Sequence, residues 1–400
     1  MHLPSFLALA GIGFAMIELP PTPTAAAPAL PGAVQSLVDS GKFVGAVELV
    51  AGRDRVLGVA TAGYADLAAH RPSRADDLFW IASMSKPITA TALMMLVDEG
   101  KVKLDDPVEK YLPEFKDVRL KEVTSDGREI LRRPAHPITV RNLLSHTSGL
   151  APRTPLELPH IDALSLRDNV RIYPLIPLAF EPGSRYQYSN AGINTVGRII
   201  ELVSGMPYEE FLQTRIFTPL GMTDTTFWPS AAQVGRLAKS YRKDLETGAW
   251  TELEVDQLSY PLTDRRRGPC PAGGLFSTAA DVSLFGRMIL NGGSYLGRHY
   301  LSAAAVKEMT SVQTGDLPLT PPDDAGYGFG WLVARQLPGR PAPASLGTFG
   351  HGGAYSTRLT IDPVQGLVTV LMVQRAETPP QVRADAGEVL RQAVLADYGR

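Results

Sequence analysis

A single cysteine, Cys270, stands in a chain of 400 residues, so no internal disulfide and no cysteine-cluster metal site can form. It lies in Gly268-Pro269-Cys270-Pro271-Ala272-Gly273, with no partner of known role nearby, and reads as an inert small side chain rather than a nucleophile. There is no His-Glu-x-x-His, and no two of the seven histidines have metal-ligand spacing. Metal catalysis therefore has no support, and no cofactor is expected. A phosphate loop with Gly-Lys-Ser/Thr is missing, as is the Gly-x-Ser-x-Gly elbow of α/β-hydrolases. Gly326-Tyr327-Gly328-Phe329-Gly330 matches a dinucleotide fingerprint only superficially, since it precedes a strand instead of opening a helix. Excess charge is absent too. Lys and Arg number 39 against 41 Asp and Glu, a net charge of −2, which offers no field for steering nucleic acid. No repeat with a period of 20 to 50 residues is visible.

Long apolar runs are confined to the amino terminus, where Leu3 to Ile17 is nearly continuous. That run is too short for a comfortable span of roughly 20 residues, so no stable membrane span is expected. Pro20-Pro21-Thr22-Pro23 and Ala25-Ala26-Ala27 follow it, a small-residue pattern suited to signal peptidase. No Lys or Arg precedes the run, which keeps a buried helix or lipid-proximal anchor as the competing reading. Residues 1–32 are read as a signal peptide and linker, and the protein as exported, periplasmic or secreted.

What remains has ordinary globular composition, 44% hydrophobic and 20% charged. Phe43 to Val50 and Arg55 to Gly63 read as a hairpin. Ser83 to Glu99 follows as a helix apolar on nearly all faces, hence buried between layers, with Gly100 as its stop. Val118 to Arg132 suggests a second hairpin. From Thr139 to about Phe227 the pattern is helical, notably Ser189 to Ser204 and Pro207 to Phe217. A helix is expected over Thr278 to Leu290. Strands return at Gly328 to Ala334, Leu346 to His351, Tyr355 to Ile361 and Leu367 to Val373, before a last helix over Gln381 to Asp397. Strands at both ends with helices between them imply a mixed α/β (α+β) fold. Its antiparallel sheet is built from both chain ends and flanked by helices, with a helical inserted domain. The boundaries read as 33–138 and 271–400 for the discontinuous α/β domain and 139–270 for the mainly helical one.

Three short motifs carry chemistry. In Ser83-Met84-Ser85-Lys86 residues three apart share a helix face, so the Ser83 hydroxyl and Lys86 amine fall within reach of one another. An amine kept from water has a lowered pKa, and in its neutral form it can take the hydroxyl proton. Ser240-Tyr241-Arg242-Lys243 has the same spacing but lies in a polar, basic stretch. Tyr188-Ser189-Asn190 opens a helix, so Ser189 or Asn190 can serve as a cap. Read as chemistry, a phenol beside a cationic lysine has a depressed pKa and can shuttle a proton, while the Asn190 amide holds a substrate carbonyl. Gly350-His351-Gly352-Gly353-Ala354 ends a predicted strand. Its glycines, Gly352 and Gly353, would let substrate approach the backbone, and the Ala354 N–H would join that of Ser83 as an oxyanion hole. His351 is a weaker candidate for orienting substrate. The triple arginine, Arg265-Arg266-Arg267, reads as a solvated loop that could rim a crevice.

In this order, Ser83-x-x-Lys86, Tyr188-x-Asn190 and His351-Gly352-Gly353 resemble the three signatures of the serine beta-lactamase-like hydrolases. The branch is that of class C beta-lactamases, family VIII carboxylesterases and D-Ala-D-Ala carboxypeptidase or D-aminopeptidase enzymes. The resemblance runs from about Val34 to Ala396, and includes Leu143 to Leu150, Tyr186 to Ile200, Pro219 to Met222, Gly273 to Thr278 and Tyr327 to Trp331. It implies that Ser83 attacks a carbonyl, that Lys86 and Tyr188 share the general-base duty, that the N–H groups of Ser83 and Ala354 hold the oxyanion, and that water releases an acyl-enzyme. One departure matters. Class C enzymes carry Lys-Thr-Gly where this chain has His351-Gly352-Gly353, so the cation and hydroxyl that would receive a beta-lactam carboxylate are missing. The expected substrate is therefore a small ester or amide, with carboxylesterase chemistry leading. A D-amino-acid peptidase, DD-carboxypeptidase or weak beta-lactamase follows, and a non-catalytic acyl-binding protein is the alternative of another class. Oligomeric state and acyl-chain preference are not legible at this level.

Overall fold

The computed structural model describes residues 28–319, 325–335 and 345–399. The leader run Leu3 to Ile17 lies outside these described residues. Helix α1 (Ala29–Asp39) precedes strands β1 (Gly45–Ala51), β2 (Val56–Asp66) and the short β3 (Arg71–Pro72). Helix α2 (Ser85–Asp98) follows, then α3 (Asn190–Ser204) within the insertion and α4 (Ala279–Leu290) after it. The chain closes with β4 (Ala325–Tyr327), β5 (Leu332–Ala334), β6 (Phe349–Gly352), β7 (Arg358–Asp362), β8 (Leu367–Met372) and helix α5 (Pro380–Tyr398).

The eight strands form one sheet in the order β4-β5-β6-β7-β8-β1-β2-β3. Neighbouring strands are antiparallel, and β1 from the amino-terminal part pairs with β8 from the carboxyl-terminal part, Val47 opposite Met372. Alternation along each strand divides the side chains between two cores. Val47, Leu49 and Ala51 of β1 with Val368, Val370 and Met372 of β8 face the core that contains α2 and α4. Ala46, Val50, Leu367 and Leu371 face Leu30, Val34 and Leu37 of α1 and Leu390, Ala393 and Val394 of α5. The sheet is thus sandwiched between helices, as a mixed α/β fold requires.

Two features differ from the sequence reading. Helix α1 starts at Ala29, inside the segment assigned to the leader and linker. Its Leu30, Val34 and Leu37 repeat at helical spacing and are buried, and the N–H groups of Ala29 and Leu30 donate to the Asp397 carboxylate at 2.7 and 2.8 Å. The inserted region also contains a hairpin, Ser240–Lys243 paired with Trp250–Leu253. This disposes of the second Ser-x-x-Lys match, because residues three apart on a strand point to opposite faces. Ser240 instead bonds the Gln374 side chain at 3.2 Å, and Lys243 donates to the Gly41 carbonyl at 2.6 Å.

Helix α2 is enclosed from Ser85 to Leu96, as its all-round apolar pattern implied. It packs against α3 and the short helix Ala303–Met309. No described helix is long and apolar enough to cross a membrane.

Candidate active site

The segment leading into α2 is held by Phe79–Trp80, which pairs with Phe276–Ser277, and by the Ile81 N–H bonded to the Leu275 carbonyl at 3.0 Å. Ala82 then takes φ +45°, a left-handed conformation that is costly for a residue with a Cβ and that collects at functional sites. Ser85 Oγ donates to the Ala82 carbonyl at 2.7 Å and accepts from the Leu275 N–H at 3.3 Å, which fixes that kink. Ser83 sits in the single 3₁₀ turn Ala82–Met84 immediately before α2. One turn on, Lys86 Nζ lies 2.9 Å from Ser83 Oγ and 2.6 Å from the Ala272 carbonyl. Burial pulls the Lys86 amine down to about 7, helped by the positive charge of Arg153 and opposed by Cys270. Near neutral pH a large fraction of this amine is therefore uncharged.

The Ala272 carbonyl is itself positioned. The Ala272 N–H donates to Asn194 Oδ1 at 3.0 Å, Asn194 Nδ2 donates to Tyr173 Oη at 2.9 Å, and the Tyr173 hydroxyl donates to Glu157 Oε1 at 2.8 Å. Cys270 is buried beside this chain, and burial pushes its thiol up to about 12. It stays protonated and unreactive, in keeping with the reading from sequence.

Tyr188 comes from the extended segment before α3. Ser189 is the N-cap of that helix, its Oγ accepting from the Gly192 N–H at 3.2 Å, so the cap and the chemistry fall on adjacent residues. Tyr188 lines the cleft with Ser83, and Lys86 Nζ is 4.6 Å from its ring centroid. The depressed phenol expected beside a cation does not occur. Desolvation dominates and raises the Tyr188 pKa, while the Ser83 side chain and the Arg153 charge only partly offset it. Asn190 lines the same cleft, its Oδ1 buried without a partner.

The third motif divides into parts with different surroundings. Ala354 lines the cleft, and among the described residues neither its N–H nor that of Ser83 has a hydrogen-bond acceptor. Gly353 is a packing position. A Cβ there would collide with Thr357 Oγ1 and lie 2.6 Å from the Ile81 carbonyl oxygen, so only glycine lets this segment close against the strand leading to Ser83. Gly352 has ordinary space around it. His351 is 5% exposed and does not line the cleft.

Instead His351 belongs to a buried chain whose direction follows from donor logic. The Ser189 N–H donates to His146 Nδ1 at 3.2 Å, so His146 carries its proton on Nε2 and donates to Tyr327 Oη at 3.1 Å. The Tyr327 hydroxyl then donates to His351 Nε2 at 3.1 Å, and His351 Nδ1–H donates to the Gly352 carbonyl at 2.8 Å. Both imidazoles are neutral in this arrangement. Burial lowers the His351 pKa to about 3 and puts that of His146 well below its ordinary value, with the Lys86 charge adding to both effects.

The cleft has a volume of about 260 Å³. Trp80, Ala82, Ser83, Ala272, Gly273 and Ala354 line it. The lining is completed by Pro152, Arg153, Ile161, Gln257, Tyr188 and Asn190. Sequence reasoning brought Ser83, Lys86, Tyr188, Asn190 and Ala354 to this place. It missed Arg153, Gln257, Asn194 and the His146–Tyr327 pair, whose only signal was membership of Leu143 to Leu150 and Tyr327 to Trp331. The triple arginine is not uniformly solvated. Arg267 is buried, its Nε 2.7 Å from Asp162 Oδ2 and its Nη1 donating to the Phe227 and Leu262 carbonyls, while Arg265 and Arg266 do not line the cleft. Among the described residues no group of three or more His, Cys, Asp or Glu side chains is placed to hold a metal ion.

Comparison with known proteins gives the family. The family profile described as Beta-lactamase matches residues 30–394. Esterase EstB of Burkholderia gladioli is 32% identical, over 84% of this chain and 87% of its own. A protein of Escherichia coli K12 named putative D-alanyl-D-alanine carboxypeptidase is 29% identical, over 80% of this chain and 75% of its own. The solved structure of EstCE1, described as a hydrolase with promiscuous acyltransferase activity, superposes with a TM-score of 0.77 at 27% identity, covering 92% of this chain and 97% of that one. The chain belongs to the beta-lactamase-fold family of serine hydrolases.

Proposed function

We propose that the protein is a carboxylesterase-like hydrolase of small esters that works through an acyl-enzyme on Ser83. The observation that carries this reading is the convergence of a hydroxyl, a desolvated amine and a phenol at one cleft, Lys86 Nζ lying 2.9 Å from Ser83 Oγ and 4.6 Å from the Tyr188 ring centroid, with the N–H groups of Ser83 and Ala354 free beside them. Ser83 Oγ attacks the carbonyl carbon as its proton passes to the neutral Lys86 amine, and the developing oxyanion takes the N–H groups of Ser83 and Ala354. Tyr188, which keeps its proton, relays one to the departing alkoxide. Water then attacks the acyl carbon by the same route and returns Ser83 to its hydroxyl.

The third motif favours esters over beta-lactams. His351 is neutral and turned towards Tyr327, so it presents no cation to a beta-lactam carboxylate. The names of EstB and EstCE1 point the same way. The peptidase reading draws on the Escherichia coli relative's name. It would take precedence if D-Ala-terminated peptides were cleaved with a higher kcat/KM than any ester. Export remains part of the proposal, supported by the Leu3 to Ile17 run and the alanines after it, and amino-terminal sequencing of secreted protein tests it.

The deciding experiment is a panel of chromogenic esters of graded acyl length, a chromogenic cephalosporin and D-amino-acid peptides, run with wild type and Ser83→Ala. A fluorophosphonate should label Ser83 in the folded wild type. Equal ester turnover by a folded Ser83→Ala variant, or no adduct on Ser83, eliminates the proposal.

A further inference from the structure

Arg153 is the one side chain lining the cleft that carries a permanent charge. Its single hydrogen bond runs from Nη2 to Gln257 Oε1 at 2.8 Å, a neutral acceptor that leaves the positive charge uncompensated. No Asp or Glu lines the cleft, and among the described residues Arg153 has no salt bridge. The nearby carboxylates are engaged elsewhere. Glu157 accepts from the Thr154 N–H at 2.7 Å and from the Tyr173 hydroxyl at 2.8 Å. Asp162 pairs with Arg267 at 2.7 Å and also takes the Ser259 N–H and hydroxyl. Asp256 accepts from the Tyr355 hydroxyl at 2.8 Å.

A half-buried guanidinium with four of its five N–H donors unused, facing a cleft without acids, is an acceptor-seeking site. We infer that Arg153 is an anion anchor in the lining of this cleft, and that the substrates the cleft prefers are esters bearing a carboxylate away from the scissile bond. This rests on the esterase reading and deepens it by naming the substrate class. It also gives the altered third motif a counterpart. A cation is absent at His351 and present at Arg153 in the cleft lining, so an anionic substrate would be held by Arg153 rather than by the third motif. Arginine suits the task because its fork matches a carboxylate in two parallel hydrogen bonds and stays charged at any working pH.

The test compares esters matched in size. In an acyl series, mono-4-nitrophenyl adipate is set against its neutral methyl ester and a trimethylammonium analogue. In an alcohol series, 4-acetoxybenzoate is set against methyl 4-acetoxybenzoate. Wild type should favour the carboxylate ester over its neutral match by roughly tenfold or more in kcat/KM in at least one series, the scale of a charge-assisted hydrogen bond. Salt should weaken the preference. In Arg153→Gln the ratio should fall towards one, and in Arg153→Glu it should invert in favour of the trimethylammonium ester. A ratio cancels any shared effect of the mutation on Lys86.

Titration calorimetry with Ser83→Ala needs no turnover, and there the carboxylate ester should bind about tenfold more tightly than its neutral match. Equal binding, a wild-type ratio at or below one in both series, or a ratio unchanged in Arg153→Gln overturns the inference. Ester turnover that depends on Ser83 but ignores charge would defeat this inference alone. Absence of Ser83-dependent ester turnover would defeat the functional reading beneath it.

Discussion

Lys86 Nζ stands 2.9 Å from Ser83 Oγ and 2.6 Å from the Ala272 carbonyl, on a side chain that is wholly buried in the enclosed part of α2. The amine can accept a proton only when neutral, and burial lowers its pKa to about 7. The kcat/KM for a neutral ester should therefore fall about tenfold per pH unit below 7 and level off above it. The two buried histidines, already neutral, should leave no inflection of their own near pH 6. Lys86→Arg keeps a cation that never releases its proton, and should lose about 10²–10⁴-fold in kcat at every pH while the protein stays folded. A steady-state pH profile with each variant checks both statements.

Tyr188→Phe removes the phenolic oxygen next to Ser83 but leaves the ring against Lys86. It should lower kcat by about 10²-fold or more with little change in melting temperature. Pre-steady-state kinetics will show whether acylation or deacylation suffers.

Gly353→Ala places a methyl group against Thr357 and the Ile81 carbonyl, so it should depress the melting temperature by several degrees and disturb Ser83 through its connecting strand. Gly352→Ala, whose Cβ meets nothing closer than 3.5 Å, should melt close to wild type. Paired thermal scans distinguish the two glycines of one motif.

Much of this was legible beforehand because the decisive signals are local. Ser83 and Lys86 share a turn of a helix whose apolar pattern announced its burial, and Tyr188 and Asn190 flank a serine with the look of a helix cap. Short runs rich in Val, Ala and Leu, such as those of β1 and β8, gave strands at both chain ends. What escaped were relationships set by tertiary contact. The phenol of Tyr188 is governed by desolvation rather than by the nearby amine, and no spacing in sequence reports how deeply a side chain lies. His351 was expected to face substrate, yet Tyr327 turns it inward. Arg267 looked like one of three solvated arginines until Asp162, more than a hundred positions away, proved to be its partner.

That pair gives a stability prediction. Arg267 and Asp162 are 4% and 1% exposed at the side chain, so Arg267→Ala leaves a carboxylate buried beside an emptied site and should cost about 3–5 kcal/mol. The double variant Asp162→Asn with Arg267→Met should recover part of that loss, as measured by chemical denaturation.

Glu48 lies on β1 facing the α1–α5 layer, 2% exposed, with desolvation raising its pKa to about 8 and Arg358 offsetting only part of the effect. The folded state holds this proton between about pH 4.5 and 8 while the unfolded state releases it, so stability declines as pH rises through that window. Glu48→Gln should therefore melt a few degrees higher than wild type at pH 8 and match it below pH 4.5. Calorimetric scans across that range decide the matter.

The seam where Gly45–Ala51 lies against Leu367–Met372 has a consequence for biosynthesis. The strand that leads to Gly353 has both its neighbours, β5 and β7, in the carboxyl-terminal part, and this group reaches the amino-terminal hairpin only through β8. The sheet therefore cannot close around the Ser83 segment before residues 367–372 have been synthesised, and a chain cut short ahead of them should lack an ordered cleft.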